Sequence, residues 1–560
     1  MHDVIFEPGS IWDWYCDGDP SIVSSSRTSS QREKLQMKKI KNILFIMCDQ
    51  LRADYLGCNG HPHIETKNID WLASKSVNFS RAYVQAPVCG PSRMSIYTGR
   101  YVSTHGATWN KSPIRIDEIT MGQALRDQGL RSALVGKSHI VVDPEVQSRL
   151  VLDKHCNEMT VISEGGFEPV ERDDGVHRDT NVSPNLAYNQ FLRSKGYKGR
   201  NPWHSYANSA EGPDGEILTG WKFRNSNRPA RVSEEHSETA YMTDRALEFI
   251  ENQGDEPWFL HLSYIKPHWP YIAPAPYHSR YTSKQVNATI KNSRERLEPH
   301  PIARVLMKIS DSQAFANEET RQAVIPTYMG LIHQIDDHLG RIFDLLKRIG
   351  RMDDTMIVFT SDHGDHLVDH WLADKGMFYE QATRVPMIIY DPTDAAEEVR
   401  GSICDSLVEG IDLFPTFLEA TGASIPEHRL EGESLMPILI GKSKKTNRKA
   451  VFSEMDYAFI ETREALKMPL DKSMGRMVRT EDWKYVHFDS LPPQLFDLNS
   501  DPNELDDLGC NPKFADIRAT MKELLLDWSL SRKTRITVDY ERASTWLSAG
   551  KKIGISKSEW

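Results

Sequence analysis

The chain has 560 residues, with 68 lysines and arginines against 79 aspartates and glutamates, giving a formal net charge of −11. Such an acidic balance attracts neither nucleic acid nor an anionic membrane surface, so neither is expected as a partner, and an anionic small substrate would need a local positive pocket. With 39% hydrophobic residues, this length can bury a large core, as two or three domains or as one large α/β domain with an appendage.

Residues 1–38 are serine-rich and charged with no clear period, and read as an N-terminal extension. Asn42 to Cys48 is a continuous apolar run that stops at Asp49, the pattern of a strand buried on both faces of a parallel sheet. Helical patterns follow at Asn68–Ser76 and Thr120–Asp127, with a short strand at Ser132–Val135 between that helix and the next. Later come a helix at Glu234–Asn252 and a strand at Pro257–Tyr264. The longest helix starts after Asn317, a cap residue. Its apolar positions Tyr328, Leu331, Ile335, Leu339, Ile342 and Leu346 step by three or four, and Gly350 can end it. Met356–Thr360 and Val385–Tyr390 are two more buried strands. Alternation of this kind implies an α/β sheet with helices on both sides, assigned to residues 39–445. Short strands at Trp483–Phe488 and Gln494–Leu498, then a helix at Pro512–Trp528, form a smaller C-terminal α+β subdomain, residues 446–530. The tail, 531–560, carries apolar residues suited to packing on another subunit, so a dimer or tetramer is expected.

Cys16, Cys48, Cys58, Cys89, Cys156, Cys404 and Cys510 are odd in number, scattered and without a C-x-x-C pair. That argues against a disulfide framework or a structural zinc site. No apolar run reaches the length of a membrane span, and the N-terminus lacks the basic start and apolar core of a signal peptide. A cytoplasmic location is expected.

Ligands of open α/β sheets gather at the carboxyl ends of the strands. Asp49 and Gln50 follow one strand, Asp362 and His363 another, and Lys137 with His139 a third; if that third strand extends, the last two share a face. Together two carboxylates, an amide oxygen and an imidazole would hold one divalent cation, while Arg93, Lys137 and Lys375 supply fixed positive charge. Such a site suits a tetrahedral oxyanion. His366, Asp369 and His370 resemble a ligand cluster but read as a solvated loop. Cys89 precedes Pro91, Ser92 and Arg93, the first turn of a helix running to Thr98. A nucleophilic thiolate, a packed cysteine and a precursor of another group are all compatible with that position.

Cys89-Gly90-Pro91-Ser92-Arg93 with Thr98-Gly99-Arg100 resembles the C-x-P-S-R…T-G-R signature of the formylglycine-dependent sulfatases, in the alkaline phosphatase superfamily. Gly129 to His139, Lys266 to Tyr271, the SDHGDH segment, Asp374 to Pro386 and Tyr485 to Leu508 resemble further segments of that family in the same order. The resemblance implies an alkaline-phosphatase-like sheet sandwiched by helices, with a smaller C-terminal α+β subdomain. It implies oxidation of Cys89 by a formylglycine-generating maturation enzyme. The hydrate of that aldehyde carries two hydroxyls, one to attack sulfur and one to expel sulfate. By the same resemblance Asp49, Gln50, Cys89, Asp362 and His363 touch the metal, and Arg93 and Lys137 hold the hydrate and the oxyanion. His139 assists breakdown of the intermediate, while His268 and Lys375 serve the substrate oxygens and the leaving group.

Where many sulfatases bring an aspartate pair and an Asp-Asn pair to calcium, this chain has Asp49-Gln50 and Asp362-His363. One carboxylate fewer and an imidazole favour manganese over calcium or magnesium. That set resembles the choline-sulfatase and phosphonate monoester hydrolase branches, and Asn110 matches a substrate contact of the latter. Lys137 and His139 resemble the sulfatases instead. The expectation is hydrolysis of aryl or small alkyl sulfate monoesters, with phosphonate monoesters and phosphodiesters as alternative substrates. A silent binding protein with an unmodified Cys89 is the rival from outside the enzymes. Loops from about 140 to 235 are expected to shape the substrate pocket.

Overall fold

The computed structural model describes residues 39–149, 157–177, 182–183 and 185–552. The N-terminal extension, Cys16, Cys156 and the last residues of the tail lie outside them.

The main sheet is built from β1 (Asn42–Asp49), β2 (Val77–Phe79), β3 (Arg131–Gly136), β4 (Glu168–Arg172), β5 (Trp258–Pro267), β6 (Thr355–Ser361), β7 (Met387–Tyr390) and β8 (Ser402–Cys404). Among the described residues its order is β8-β2-β7-β6-β1-β5-β3-β4. β1 is central, parallel to β5 and β6, and buried along its whole length. Its side chains alternate between two cores, as the pleat requires. Leu44, Ile46 and Cys48 pack with Met242, Ile250, Ile335, Leu339 and Ile342, which belong to the helices Glu238–Asn252 and Glu318–Arg348. Ile43, Phe45 and Met47 pack on the other side with Ile96, Tyr97 and Phe417. A strand this apolar on both faces requires that sandwich.

The expected elements are present with shifted ends. In Glu318–Arg348, Asn317 Oδ1 caps the Glu319 N–H at 2.9 Å, and Gly350 follows with a φ of 72°. One strand departs from the parallel reading: β7 runs antiparallel to β6. The connection between them, residues 362–386, holds a short turn of helix at Asp369–Trp371, the four-residue α-helix Glu380–Thr383 and the two-residue strand Arg384–Val385, with no long helix to carry the chain back across the sheet.

A second sheet, β9 (Val451–Asp456), β10 (Met474–Arg479), β11 (Trp483–Phe488) and β12 (Gln494–Asp497), is an antiparallel meander. Val478, Tyr485 and Leu495 from it pack with Met521, Leu525 and Trp528 of the helix Ala515–Leu530. None of the described helices is long and apolar enough to cross a membrane.

Candidate active site

The site gathers at the carboxyl ends of β1, β3, β5 and β6. At the end of β1 the register with β5 slips between Cys48 and Asp49, a bulge of the kind that re-aims a side chain. Gln50 then takes a φ of 67°. β6 ends at Ser361, delivering Asp362 and His363 beside Asp49. The ligand atoms of Asp49, Cys89, Asp362 and His363 all lie within 4.8 Å of one another, and all four residues are buried.

Cys89 opens the helix α1 (Cys89–Thr98), every residue of which is buried. The Ser92 hydroxyl donates to the Asp362 carbonyl at 2.5 Å, and Arg93 Nε donates to Asp362 Oδ2 at 2.7 Å. Arg93 Nη1 donates to the Lys137 carbonyl and the Ser263 hydroxyl, at 2.7 and 2.8 Å. Its Nη2 is 3.7 Å from Asp49 and has no hydrogen-bond partner. The signature residues therefore tie α1 to the ends of β6, β3 and β5. Gly90 fits because Asn110 packs against it: a Cβ there would stand 2.8 Å from Asn110 Cα.

The Cys89 sulfur has Lys375 Nζ at 3.3 Å, His363 Nε2 at 3.1 Å and Asp49 Oδ1 at 3.7 Å. Burial alone would raise the thiol pKa, but the charges of Lys137, Lys375 and His363 hold it well below the ordinary value. Burial and Cys89 likewise oppose ionisation of Asp49. Lys137, whose ammonium contacts its Oδ2, together with Arg93, holds that carboxyl below the usual range. His363 Nδ1 donates to the Gly364 carbonyl at 2.8 Å, which turns Nε2 toward the cluster. Hard carboxylate oxygens and one imidazole nitrogen at this spacing fit a divalent cation.

Gln50 is buried beside them, its Oε1 accepting from Lys375 at 3.1 Å and its Nε2 donating to Asp365 and Asp374 at 2.6 and 3.0 Å. Lys375 Nζ also reaches His268 Nε2 at 3.3 Å. Lys137 and His139 do converge, but not along an extended strand. β3 stops at Gly136, whose φ of 106° and close approach to the Ser263 carbonyl exclude a side chain. His139 has a φ of 59°, and Asp174 Oδ1 accepts the N–H of both Ser138 and His139, at 3.2 and 3.0 Å. The Nδ1 of His139 is buried without a partner. Asn110 Oδ1 accepts from the Gly90 N–H at 2.8 Å, so this side chain caps α1 from the pocket wall.

Two expectations change. His366, Asp369 and His370 are not a solvated loop: their exposures are 0%, 5% and 0%. Asp369 pairs with Arg52 at 2.8 Å, and His370 stacks on Tyr379 and bonds Glu295 at 2.7 Å. The segment turns inward through positive φ at Leu367, Val368, His370, Trp371 and Asp374, a route that no residue type there announces. Among the described residues, moreover, the pocket takes only 174–176 from the interval 140–235; further walls come from 109–111, 268–269, 305–309, 374–376 and 455–462. Asp174, Asp365 and Asp374, which position His139, Gln50 and Lys375, were not singled out by sequence. Asp365 lies within SDHGDH and Asp374 directly precedes Lys375, the signals that could have flagged these two.

A sulfatase family model matches residues 41–423, and the C-terminal model of N-sulphoglucosamine sulphohydrolase matches 368–531. A multifunctional alkaline phosphatase superfamily protein of Trinickia caryophylli is 30% identical, covering 91% of this chain and 99% of its own. An arylsulfatase of Clostridium perfringens is 27% identical over 83% of this chain and 90% of its own. The phosphonate monoester hydrolase of Silicibacter pomeroyi superposes with a TM-score of 0.78 at 28% identity, covering 90% of this chain and 98% of that one.

Proposed function

Because the chain belongs to the sulfatase family of hydrolases, within the alkaline phosphatase superfamily, we propose that it cleaves sulfate monoesters at Cys89. The observation that carries this reading is the convergence of Lys137 and Lys375 on one buried sulfur flanked by Asp49 and His363. A singly charged tetrahedral oxyanion is what such a cradle of fixed donors stabilises.

Asp49, Gln50, Asp362 and His363 would hold one divalent cation, manganese being favoured over calcium or magnesium by the imidazole, and its chemistry there is polarisation of the ester oxygen. Oxidation of Cys89 would supply formylglycine, whose hydrate offers an attacking hydroxyl and a second one that restores the aldehyde. With Cys89 only 2% exposed, the maturation enzyme must reach it before the chain has folded around it. Arg93 and Lys137 bear on the non-bridging oxygens. His139 would take the proton of the second hydroxyl, a role its buried and unpaired Nδ1 supports, with Asp174 fixing its backbone. Lys375 and His268 face the leaving group. Asn110 touches the substrate from the wall it shares with Gly90. Exposed Leu526, Leu530, Trp546 and Leu547 are the apolar surface that a dimer or tetramer would cover.

The alternative, a phosphonate monoester or phosphodiester hydrolase on the same site, is favoured by the high TM-score of the Silicibacter enzyme. Second-order rate constants measured in parallel on an aryl sulfate and an aryl phosphonate decide between them. The sulfate is expected to be preferred; a phosphonate faster by orders of magnitude would overturn the reading.

A further inference from the structure

A cavity of about 720 Å³ opens off Cys89. Its base is the charged site, but its walls are apolar. They include Trp109, from the loop after α1, and Leu306 and Ile309, which end a short helix and the turn after it. Met455, Phe459 and Ile460 come from the end of β9 and the turn beyond it. Trp109 and Phe459 stack with ring centroids 6.0 Å apart and planes 15° from parallel, an aromatic pair at the cavity wall. Phe459 is 56% exposed, so an apolar occupant lying on it would remove that ring from water.

The polar groups of the cavity restrict what can lie there. Asp174 already accepts from Arg172 Nη2 at 2.8 Å and from the N–H groups of Ser138 and His139. Asp374 accepts from Gln50 Nε2 and from Trp269 Nε1, at 3.0 and 3.2 Å, and lies 3.6 Å from Lys375. Glu461, the remaining carboxylate, is exposed to solvent. A cationic alkyl group could lie on the aromatic faces, but it would find no free buried counter-charge there and would face the cations Lys111, Lys137 and Lys375 in the same lining. Sugar hydroxyls against Leu306, Ile309 and Met455 would lose their hydrogen bonds to water without replacement.

We infer that the leaving group is a planar, uncharged aromatic ring and that Trp109 and Phe459 are the residues that select it. This rests on the reading of Cys89 as the reacting position. It narrows the substrate class to aryl esters, and it gives the C-terminal sheet a share in specificity.

The test uses metal-loaded enzyme and two unreactive sulfonates, 2-naphthalenesulfonate and methanesulfonate, titrated by calorimetry, alongside kinetics on 2-naphthyl sulfate and ethyl sulfate. Wild type is expected to bind the naphthyl compound far more tightly. Phe459→Ala, at an exposed position, should weaken that binding about tenfold, as loss of an aromatic contact and its buried area implies. The ratio of kcat/KM for 2-naphthyl over ethyl sulfate should fall by a similar factor, and Phe459→Trp should restore both. Equal affinity of the two sulfonates for wild type, or unchanged naphthyl affinity in Phe459→Ala, overturns the inference. If naphthyl binding depends on Phe459 but neither ester is cleaved, the pocket assignment stands and the hydrolase reading fails.

Discussion

Lys375 Nζ stands 3.3 Å from Nε2 of His268, and the direction of that hydrogen bond is fixed. His268 Nδ1 donates to the Trp269 carbonyl at 2.6 Å, so Nε2 carries the lone pair and the lysine donates. Burial, reinforced by Lys375, holds His268 below its ordinary pKa; burial opposes the charge on Lys375, but Asp374 and Cys89 raise it above its own. The pair thus keeps its proton on the lysine, whose Nζ is 3.3 Å from the Cys89 sulfur.

It follows that Lys375→Ala should slow turnover most for esters with basic leaving groups, by ~10²–10⁴-fold, and least for good ones. A leaving-group series measured on wild type and variant checks this. A uniform loss across the series would remove Lys375 from proton delivery.

Lys137 contacts Asp49 Oδ2 and lies under the same sulfur. Lys137→Ala should lower kcat on an aryl sulfate by ~10²–10³, the cost of losing one oxyanion donor. Circular dichroism of the metal-loaded variant should match wild type. A near-wild-type rate would take Lys137 out of the site.

Gly90 is a packing requirement. Replacing it with alanine would set a Cβ 2.8 Å from the Asn110 backbone and 3.1 Å from its Oδ1. The clash is with main chain, so Gly90→Ala should cost about 1–3 kcal/mol and shift α1 away from Asn110. Chemical denaturation reads the first effect. Activity on an aryl sulfate reads the second and should fall with it.

Two buried histidines brace α1 and give stability a pH dependence. His105 Nδ1 accepts the Ala107 N–H at 3.1 Å, and its Nε2 meets the Ser95 hydroxyl at 2.9 Å. His261 Nδ1 donates to the Phe45 carbonyl, and its Nε2 meets the Tyr97 hydroxyl at 2.9 Å. Burial, aided by Arg100 and Arg93 respectively, lowers both from 6.5 to about 3. The folded state keeps both neutral while the unfolded chain protonates them below 6.5, so stability falls as pH drops from 6.5 toward 3. The expected slope from each is about 1.4 kcal/mol per pH unit. Urea unfolding at pH 7 and pH 5 should show His105→Asn losing one such increment of slope. An unchanged slope contradicts the account.

What sequence made legible was whatever is written in local pattern. The unbroken apolar run of β1 announces a strand buried on both faces, and the step of Leu331, Ile335, Leu339 and Ile342 announces the long helix that covers it. The signature and strand-end residues could be gathered because α/β sheets place ligands at one edge. The inward route of residues 367–374 could not be read, because leucine, valine and tryptophan in left-handed backbone carry no compositional mark. Nor could the pocket walls. Trp109 and Phe459 are some 350 positions apart and meet only through the packing of the second sheet on the site.

The central claim is that Cys89 is the precursor of the working group. The most direct measurement is the mass of the peptide spanning Pro87 to Arg93 from protein that is active on an aryl sulfate. The account predicts the aldehyde, with sulfur replaced by oxygen and two hydrogens lost, in proportion to specific activity. A fully active preparation carrying only the intact thiol would contradict it.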